Sequence, residues 1–496
     1  MAAGAPRARR ARLLRAAAVA ALAGGPGAVR AVELQRSAAL PGPALLPDGS
    51  SYAYWSAVPA GGGAGGGAET WLLWFQGGFA CWDSPTCEAR VLQQPHLVSS
   101  AFWPQGPIRI GGVFDALAAG GAATAYLPYC SSDNWIGENG WADPLGKKFW
   151  LFRGRANVEA TVEDLLGRGM KRAKTVLVGG CSAGGRGSMY NLDSVCEQVR
   201  HANPGVRCAG IHDSPWWLDM APTAEKPSLR DAIEAGLGIW RAADAGPAPE
   251  PLGTCMEAEA GDPAECFFAK SLLPHLGADA FVHASQYDAF QLNYNTGLPY
   301  NVALAKAAYE ASGRLRAWVE GARGRLKTEL GEAFGGGAPA GDEPVRHAFG
   351  DACFEHCGMT TAAFFSVAAA QAASGQGSLK GAVEDFVRAV VERGGAGSGR
   401  RAAIVDACDG LGCSNGCPGA PIEGVEVGGS PGPEEEGTCS GLRAFAHPSR
   451  SEGALERLDA VAAAAIGAAL TVLLLAGAAW AHRRRRAVPP AGKGES

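Results

Sequence analysis

Three features are scarce in this chain of 496 residues: basic charge away from its ends, paired cysteine spacings and glycosylation triplets. The net charge is −5, but seven Arg against Glu33 give residues 1–36 a charge of +6. Four Arg and Lys493 against Glu495 give residues 482–496 a charge of +4, leaving −15 on the stretch between. So acidic a body lacks the electrostatic footprint of a nucleic-acid binder. None of the 14 cysteines stands in C-x-x-C spacing. The cluster Cys408, Cys413 and Cys417 therefore does not read as a zinc site, and no metal is expected. No N-x-[ST] triplet occurs, which neither supports nor opposes secretion.

What is present points to a secreted body on a membrane anchor. Hydrophobic residues make up 47% of the chain, enough for a core, although much of this is Ala. Residues 1–31 join an Arg-rich start to a short apolar stretch and small residues around Ala31. This is the pattern of a secretory signal peptide, with an organelle transit peptide as the rival. Val461–Ala481 is an uncharged apolar run of 21 residues, followed at once by Arg483, Arg484, Arg485 and Arg486. That length and flank predict one transmembrane helix over 461–481, with the basic tail 482–496 in the cytoplasm. A polar tail after the run argues against a lipid-anchor signal. Residues 419–460, rich in Gly, Pro and Glu, predict a stalk. The body at 33–418 is expected to lie outside the cell or in an endomembrane lumen, where its cysteines mostly form disulfides whose pairing the spacing does not give.

Within the body, strand-like runs alternate with helical ones. WLLWF (71–75) ends at Gly77-Gly78, TAYLP (124–128) at YCSSDNW, and Thr175–Val178 at GGCSAGG. Weaker strands at Val206–Ile211 and Ala280–Ala284 end near Asp213 and Asp288. Helical spacing covers Gly154–Gly169 and runs from Arg186 to about Val199. The alternation predicts an α/β fold: a mostly parallel sheet with helices on both faces and polar clusters at the carboxyl ends of the strands. Glycine-rich breaks at 60–68, 335–341 and 394–399 read as surface loops.

GCSAGG, between a strand and a helix, is the context in which G-x-S-x-G carries chemistry: Ser182 at a sharp bend with its hydroxyl exposed. A serine needs a base to take its proton and an acid to orient that base. Order along the chain leaves His347 and His356, both in RHAFGDACFEHCGM, and favours His356, which Cys353 and Cys357 could pin. Asp288, after the later strand, is the expected acid. Asp213 in HDSPWWLD reads as a residue shaping the pocket or a turn-forming aspartate. His283 reads as a satisfied core histidine. The oxyanion donors are expected to be the N–H groups of Ala183 and of Gly78 or Phe79, because QGGFACW lets backbone approach the substrate.

The blocks WLLWFQGGFACW, LPYCSSDNW, FRGRANVEATVEDLLGRGM, GGCSAGGRGSMYNLDSV, HDSPWWLD, CFFAKSLLP, QYDAFQL and DACFEHC, in that order, resemble the pectin acetylesterases and the related Notum carboxylesterases. The resemblance implies an α/β-hydrolase fold, a triad of Ser182, Asp288 and His356, oxyanion donors at Gly78, Phe79 and Ala183, and no cofactor. Trp82, Asp213, Trp216, Phe267 and Phe268 are expected as pocket residues. GCSAGG and Cys357 look more like the plant pectin acetylesterases; LPYCSSDNW, YNLDSV and Phe267-Phe268 also resemble Notum. The leading expectation is deacetylation of cell-wall or matrix polysaccharide. An acidic body opposes a polyanionic substrate unless Lys147-Lys148 or Arg153 and Arg155 form a local basic patch. The alternatives are removal of a longer acyl group from protein or lipid, and a membrane-anchored binding protein that keeps the fold without activity. The sequence assigns no oligomeric state.

Overall fold

The computed structural model describes residues 32–418, apart from 60–67, 143, 145–147, 224–225, 242–245, 336–342, 371–376 and 392–400. The expected leader, stalk, apolar run and basic tail lie outside the described residues, as do nearly all residues of the three glycine-rich breaks. Among the described residues no helix is long and apolar enough to cross a membrane.

Long-range pairing of short apolar runs builds the centre of the molecule. In chain order the strands are β1 (Glu33–Arg36), β2 (Trp55–Ala57), β3 (Thr70–Phe75), β4 (Ile108–Arg109), β5 (Ala123–Leu127), β6 (Gly140–Ala142) and β7 (Phe149–Leu151). They continue as β8 (Thr175–Cys181), β9 (Arg207–Asp213), β10 (Asp279–His283), β11 (Arg346–Gly350) and β12 (Arg401–Val405). β6 and β7 form a separate ribbon, and the other ten make one sheet in the order β12-β11-β10-β9-β8-β3-β5-β2-β1-β4. From β12 to β5 every pairing is parallel, while β2, β1 and β4 close one edge antiparallel. Every residue of β3 (TWLLWF) and β8 (TVLVGGC) is buried. Strands covered on both faces need continuous rather than alternating hydrophobicity, and these have it.

Helices pack on the sheet through their apolar stripes. Helix α1 (Gly154–Gly167) buries Val158, Val162 and Leu165. The spacing from Arg186 to Val199 is divided in the structure between α2 (Ala183–Tyr190) and α3 (Leu192–Ala202), with a break at Asn191. At the break the Asn191 side chain donates from Nδ2 to the carbonyls of Gly187 (2.8 Å) and Trp135 (3.1 Å), sharing the Gly187 oxygen with its own backbone N–H. Further along, α4 (Ala289–Thr296), α5 (Gly313–Phe334) and α6 (Leu379–Val391) complete the helices used below.

Six disulfides form among the described residues: Cys81–Cys87, Cys181–Cys357, Cys196–Cys208, Cys255–Cys266, Cys353–Cys417 and Cys408–Cys413. That density belongs to proteins folded in an oxidising compartment. Cys408, Cys413 and Cys417 are all consumed in these bonds.

Candidate active site

The strand-to-helix turn at GCSAGG is held by close backbone approach. A Cβ on Gly184 would lie 2.0 Å from the Phe75 carbonyl oxygen, so only glycine lets the start of α2 sit against β3. Ser182 adopts φ 61° and ψ −124°, a conformation that costs a non-glycine residue roughly 1–3 kcal/mol. Its N–H donates to the Asp213 carbonyl at the end of β9 (3.0 Å). Ala183 opens α2 directly after it.

Two side chains from the later strands meet next to this turn. His356 Nδ1 and Asp288 Oδ2 are 2.7 Å apart, both side chains largely buried. Asp288 is also the N-cap of α4: its Oδ1 accepts from the Gln291 N–H at 2.8 Å, so the helix terminus fixes the carboxylate while the other oxygen faces the imidazole. The His356 ring stacks on Phe290, with centroids 5.3 Å apart. The disulfide Cys181–Cys357 joins the residue before Ser182 to the residue after His356, with Cα atoms 5.4 Å apart. One imidazole nitrogen of His356 lies within 4.8 Å of both sulfurs. These three are the one candidate metal group among the described residues, but sulfurs bonded to each other are not thiolate ligands. His347, the other histidine considered, sits inside β11 with its ring against Phe386 of α6, on the sheet face rather than at the strand end.

The loop after β3 passes over the serine. A Cβ on Gly77 would come within 2.8 Å of Ser182 Cβ, and Gly78 and Phe79 both have positive φ, 150° and 58°. The loop after β5 supports it from beneath, where Gln76 Oε1 accepts from Tyr129 N–H (3.0 Å) and the Ser132 carbonyl accepts from Cys81 N–H (3.1 Å). Burial pushes Asp133 in that loop up to about 6.

Aromatic rings cluster at the loop after β3. Phe79 contacts Trp82, Trp217, Phe290 and Tyr294 with centroids 5.2–5.5 Å apart. The guanidinium of Arg186, fully buried and lowered by that burial to about 10, lies on the Trp217 ring. Of the expected pocket residues, Trp82 joins this cluster. Trp216 and Phe267 point inward, whereas Phe268 shares the lining of a small cavity with Trp217. Trp216 is buried, donates to Glu329 Oε2 (2.8 Å) and packs on Phe334. Phe267 is buried against Tyr190 and Trp240, and Phe268 lies under Arg230.

Asp213 is fully buried, with Oδ1 2.7 Å from His283 Nδ1 and Oδ2 accepting from Met359 N–H at 2.7 Å. Beyond the sequence-based candidates, the structure adds Trp217, Phe290 and Tyr294 around Phe79, Ser214 and His283 beneath the histidine loop, and Asp351 and Glu355 within it. For Glu355 and Asp351 the signal was their place within DACFEHC itself.

Residues 35–417 match the family model described as pectinacetylesterase. The chain belongs to the pectinacetylesterase family. The human palmitoleoyl-protein carboxylesterase Notum is 31% identical over 257 residues, covering 48% of this chain and 49% of the relative. Its Drosophila melanogaster counterpart is 28% identical over 264 residues, covering 51% and 38%. The chain thus spans about half the length of the curated relatives it matches, or less. The solved structure of the Wnt deacylase Notum from Drosophila is similar with a TM-score of 0.62 at 22% identity, covering 78% of this chain and 100% of that one. At that identity the likeness carries the fold, an α/β hydrolase with a mostly parallel sheet.

Proposed function

We propose that this pectinacetylesterase-family protein is a serine carboxylic ester hydrolase whose triad is Ser182, Asp288 and His356, and that it removes acetyl groups from cell-wall or matrix polysaccharide. The observation that carries the reading is the Asp288–His356 pair of 2.7 Å, tied to the nucleophile turn by Cys181–Cys357. With Nδ1–H directed at Asp288, the His356 Nε2 is the proton acceptor. Ser182 Oγ attacks the ester carbonyl as Nε2 takes its proton, and Asp288 orients and stabilises the imidazolium. The N–H groups of Ala183 and of Gly78 or Phe79 bind the oxyanion; one such donor is worth roughly 3–4 kcal/mol in the transition state. His356 returns the proton to the leaving alcohol, then activates water to cleave the acyl-enzyme. No step requires a cofactor. Residues 1–31 and 461–481 would place the body outside the cytoplasm on a single anchor.

The test is labelling of the purified protein by a fluorophosphonate probe together with acetate release from acetylated polysaccharides. Both are expected to vanish in Ser182→Ala. A folded Ser182→Ala protein that still releases acetate at the wild-type rate refutes the assignment. Faster cleavage of octanoyl than of acetyl nitrophenyl ester would move the substrate to a longer acyl group, and a wild type that neither labels nor hydrolyses would make it a binding protein.

A further inference from the structure

Beneath the loop that carries His356 lies a second acid–histidine set that the triad does not use. His283 ends β10 fully buried, with Nδ1 2.7 Å from Asp213 Oδ1 and Nε2 2.7 Å from Asp351 Oδ2. A neutral imidazole has one N–H, so two short contacts to carboxylate oxygens call for a ring carrying both protons. Burial opposes that charge, but Asp213 and Asp351 outweigh it and hold His283 well above the usual histidine range. The other oxygens of the two carboxylates grip the loop. Asp213 Oδ2 accepts from Met359 N–H (2.7 Å) and Asp351 Oδ1 from Cys353 N–H (2.9 Å). Ser214, hydrogen-bonded to Asp213, accepts from Cys357 N–H at 3.1 Å. These amides flank His356 on both sides.

Glu355, immediately before His356, reaches the same buried place. A Cβ on Gly358 would lie 3.1 Å from His283 Cε1 and 3.2 Å from Glu355 Oε2, so imidazole and carboxyl bracket one spot. The Glu355 carbonyl accepts from Ala289 N–H at 3.2 Å, next to Asp288. The groups that act on its carboxyl are Asp213 from the end of β9, His283 from β10, Asp351 from its own loop and the neutral Thr361 hydroxyl. Burial first, then Asp351, push Glu355 up to about 8; Asp213 adds to this, and His283 and Thr361 pull partly back.

We propose that Asp213, His283 and Asp351 form a clamp that positions the loop bearing His356, and that Glu355 is its proton-operated latch, shut when Glu355 is uncharged and released when it ionises. His283 is thus a positioning residue. The sign follows from the charges: below pH about 8 Glu355 keeps its proton, and above it a third carboxylate crowds the single imidazolium. Only the activity readout rests on the esterase reading.

The test on the full chain pairs hydrogen exchange at the Cys353, Cys357 and Met359 amides, corrected for intrinsic rates, with kcat on nitrophenyl acetate from about pH 6 to 9.5. In the wild type, protection and kcat are expected to fall together with a midpoint near pH 8. In Glu355→Gln the fall should move up by at least about one pH unit. In His283→Gln, protection should be lost at neutral pH and kcat should drop roughly ten- to a hundredfold with KM within about twofold. If that variant does not fold, Asp351→Asn, which keeps an acceptor for the Cys353 N–H, takes its place with the same expectation. A Glu355→Gln protein that keeps the wild-type alkaline fall overturns the latch. Unchanged protection and kcat in His283→Gln overturn the clamp. A wild type that hydrolyses nothing at any pH refutes the esterase reading instead, and the exchange data still decide the clamp.

Discussion

Asp288 holds two positions at once, and its variants separate them. One oxygen caps α4 through Gln291 N–H and the other meets His356. Asn keeps an oxygen acceptor for the cap but cannot hold the imidazole in the tautomer that leaves Nε2 free to accept, nor stabilise its charged form. Asp288→Asn is therefore expected to lower kcat by about 10⁴-fold. Its stability should stay within about 0.5 kcal/mol of wild type, whereas Asp288→Ala should lose a further ~0.5–2 kcal/mol with the cap. Steady-state kinetics beside urea unfolding read both quantities. A near-normal kcat in Asp288→Asn would remove this residue from the triad. The same logic separates the two histidines of one sequence block: His356 is at a strand-end loop beside a carboxylate, while His347 is nine residues earlier on the sheet face beside Phe386. A ring inside a parallel strand cannot leave its packing to meet a serine at the strand end.

At the scale of elements, the site depends on β8 and the loop after β11 staying in register, and Cys181–Cys357 is the covalent tie between them. It spans 176 residues of sequence, so its removal frees a long loop in the unfolded chain. The double variant Cys181→Ser/Cys357→Ser is expected to lose about 2–5 kcal/mol of stability. Its kcat should fall at least about tenfold with KM little changed, since a misplacement near 1 Å at the reacting atoms costs up to a hundredfold. Equal kcat in the folded double variant would show that packing alone keeps nucleophile and base together. Much of this scaffold was legible beforehand. Buried parallel strands must be continuous apolar runs, so WLLWF, TAYL and TVLV announced β3, β5 and β8. The helix break at Asn191 was not legible, because the apolar spacing through Met189, Leu192 and Val195 continues across it, and the Asn191 bond to the Trp135 carbonyl joins residues 56 apart. The glycines around Ser182 announced a turn because nothing larger fits there. The Asp213–His283–Asp351 set was hidden as a set for the opposite reason: its members are 70 and 68 residues apart, so no local pattern joins them. Phe267 shows a related blindness, since a ring's identity does not tell whether it faces a pocket or the core.

At the scale of the whole molecule, the described body closes on itself before the predicted stalk begins. Cys353–Cys417 fastens its last described segment back to the loop that carries His356, and Cys408–Cys413 closes a small loop within that segment. A chain ending at residue 418 keeps every disulfide seen here and every strand of the sheet, whereas one ending before Cys417 would free the base loop on one side. Residues 419–496, by contrast, contribute no group to the proposed chemistry, and their 21-residue apolar run meets the length of about 20 residues that a bilayer demands. The full chain is therefore expected to stay with membranes through an alkaline carbonate wash, and the chain ending at 418 to be released while hydrolysing nitrophenyl acetate with the same kcat. The intermediate chain ending at 460 discriminates the cause: it should behave like the shorter one, because the stalk carries Gly, Pro and Glu rather than an apolar face. Retention of that intermediate on membranes would place the anchor in the body itself, and the run at 461–481 would then need another explanation.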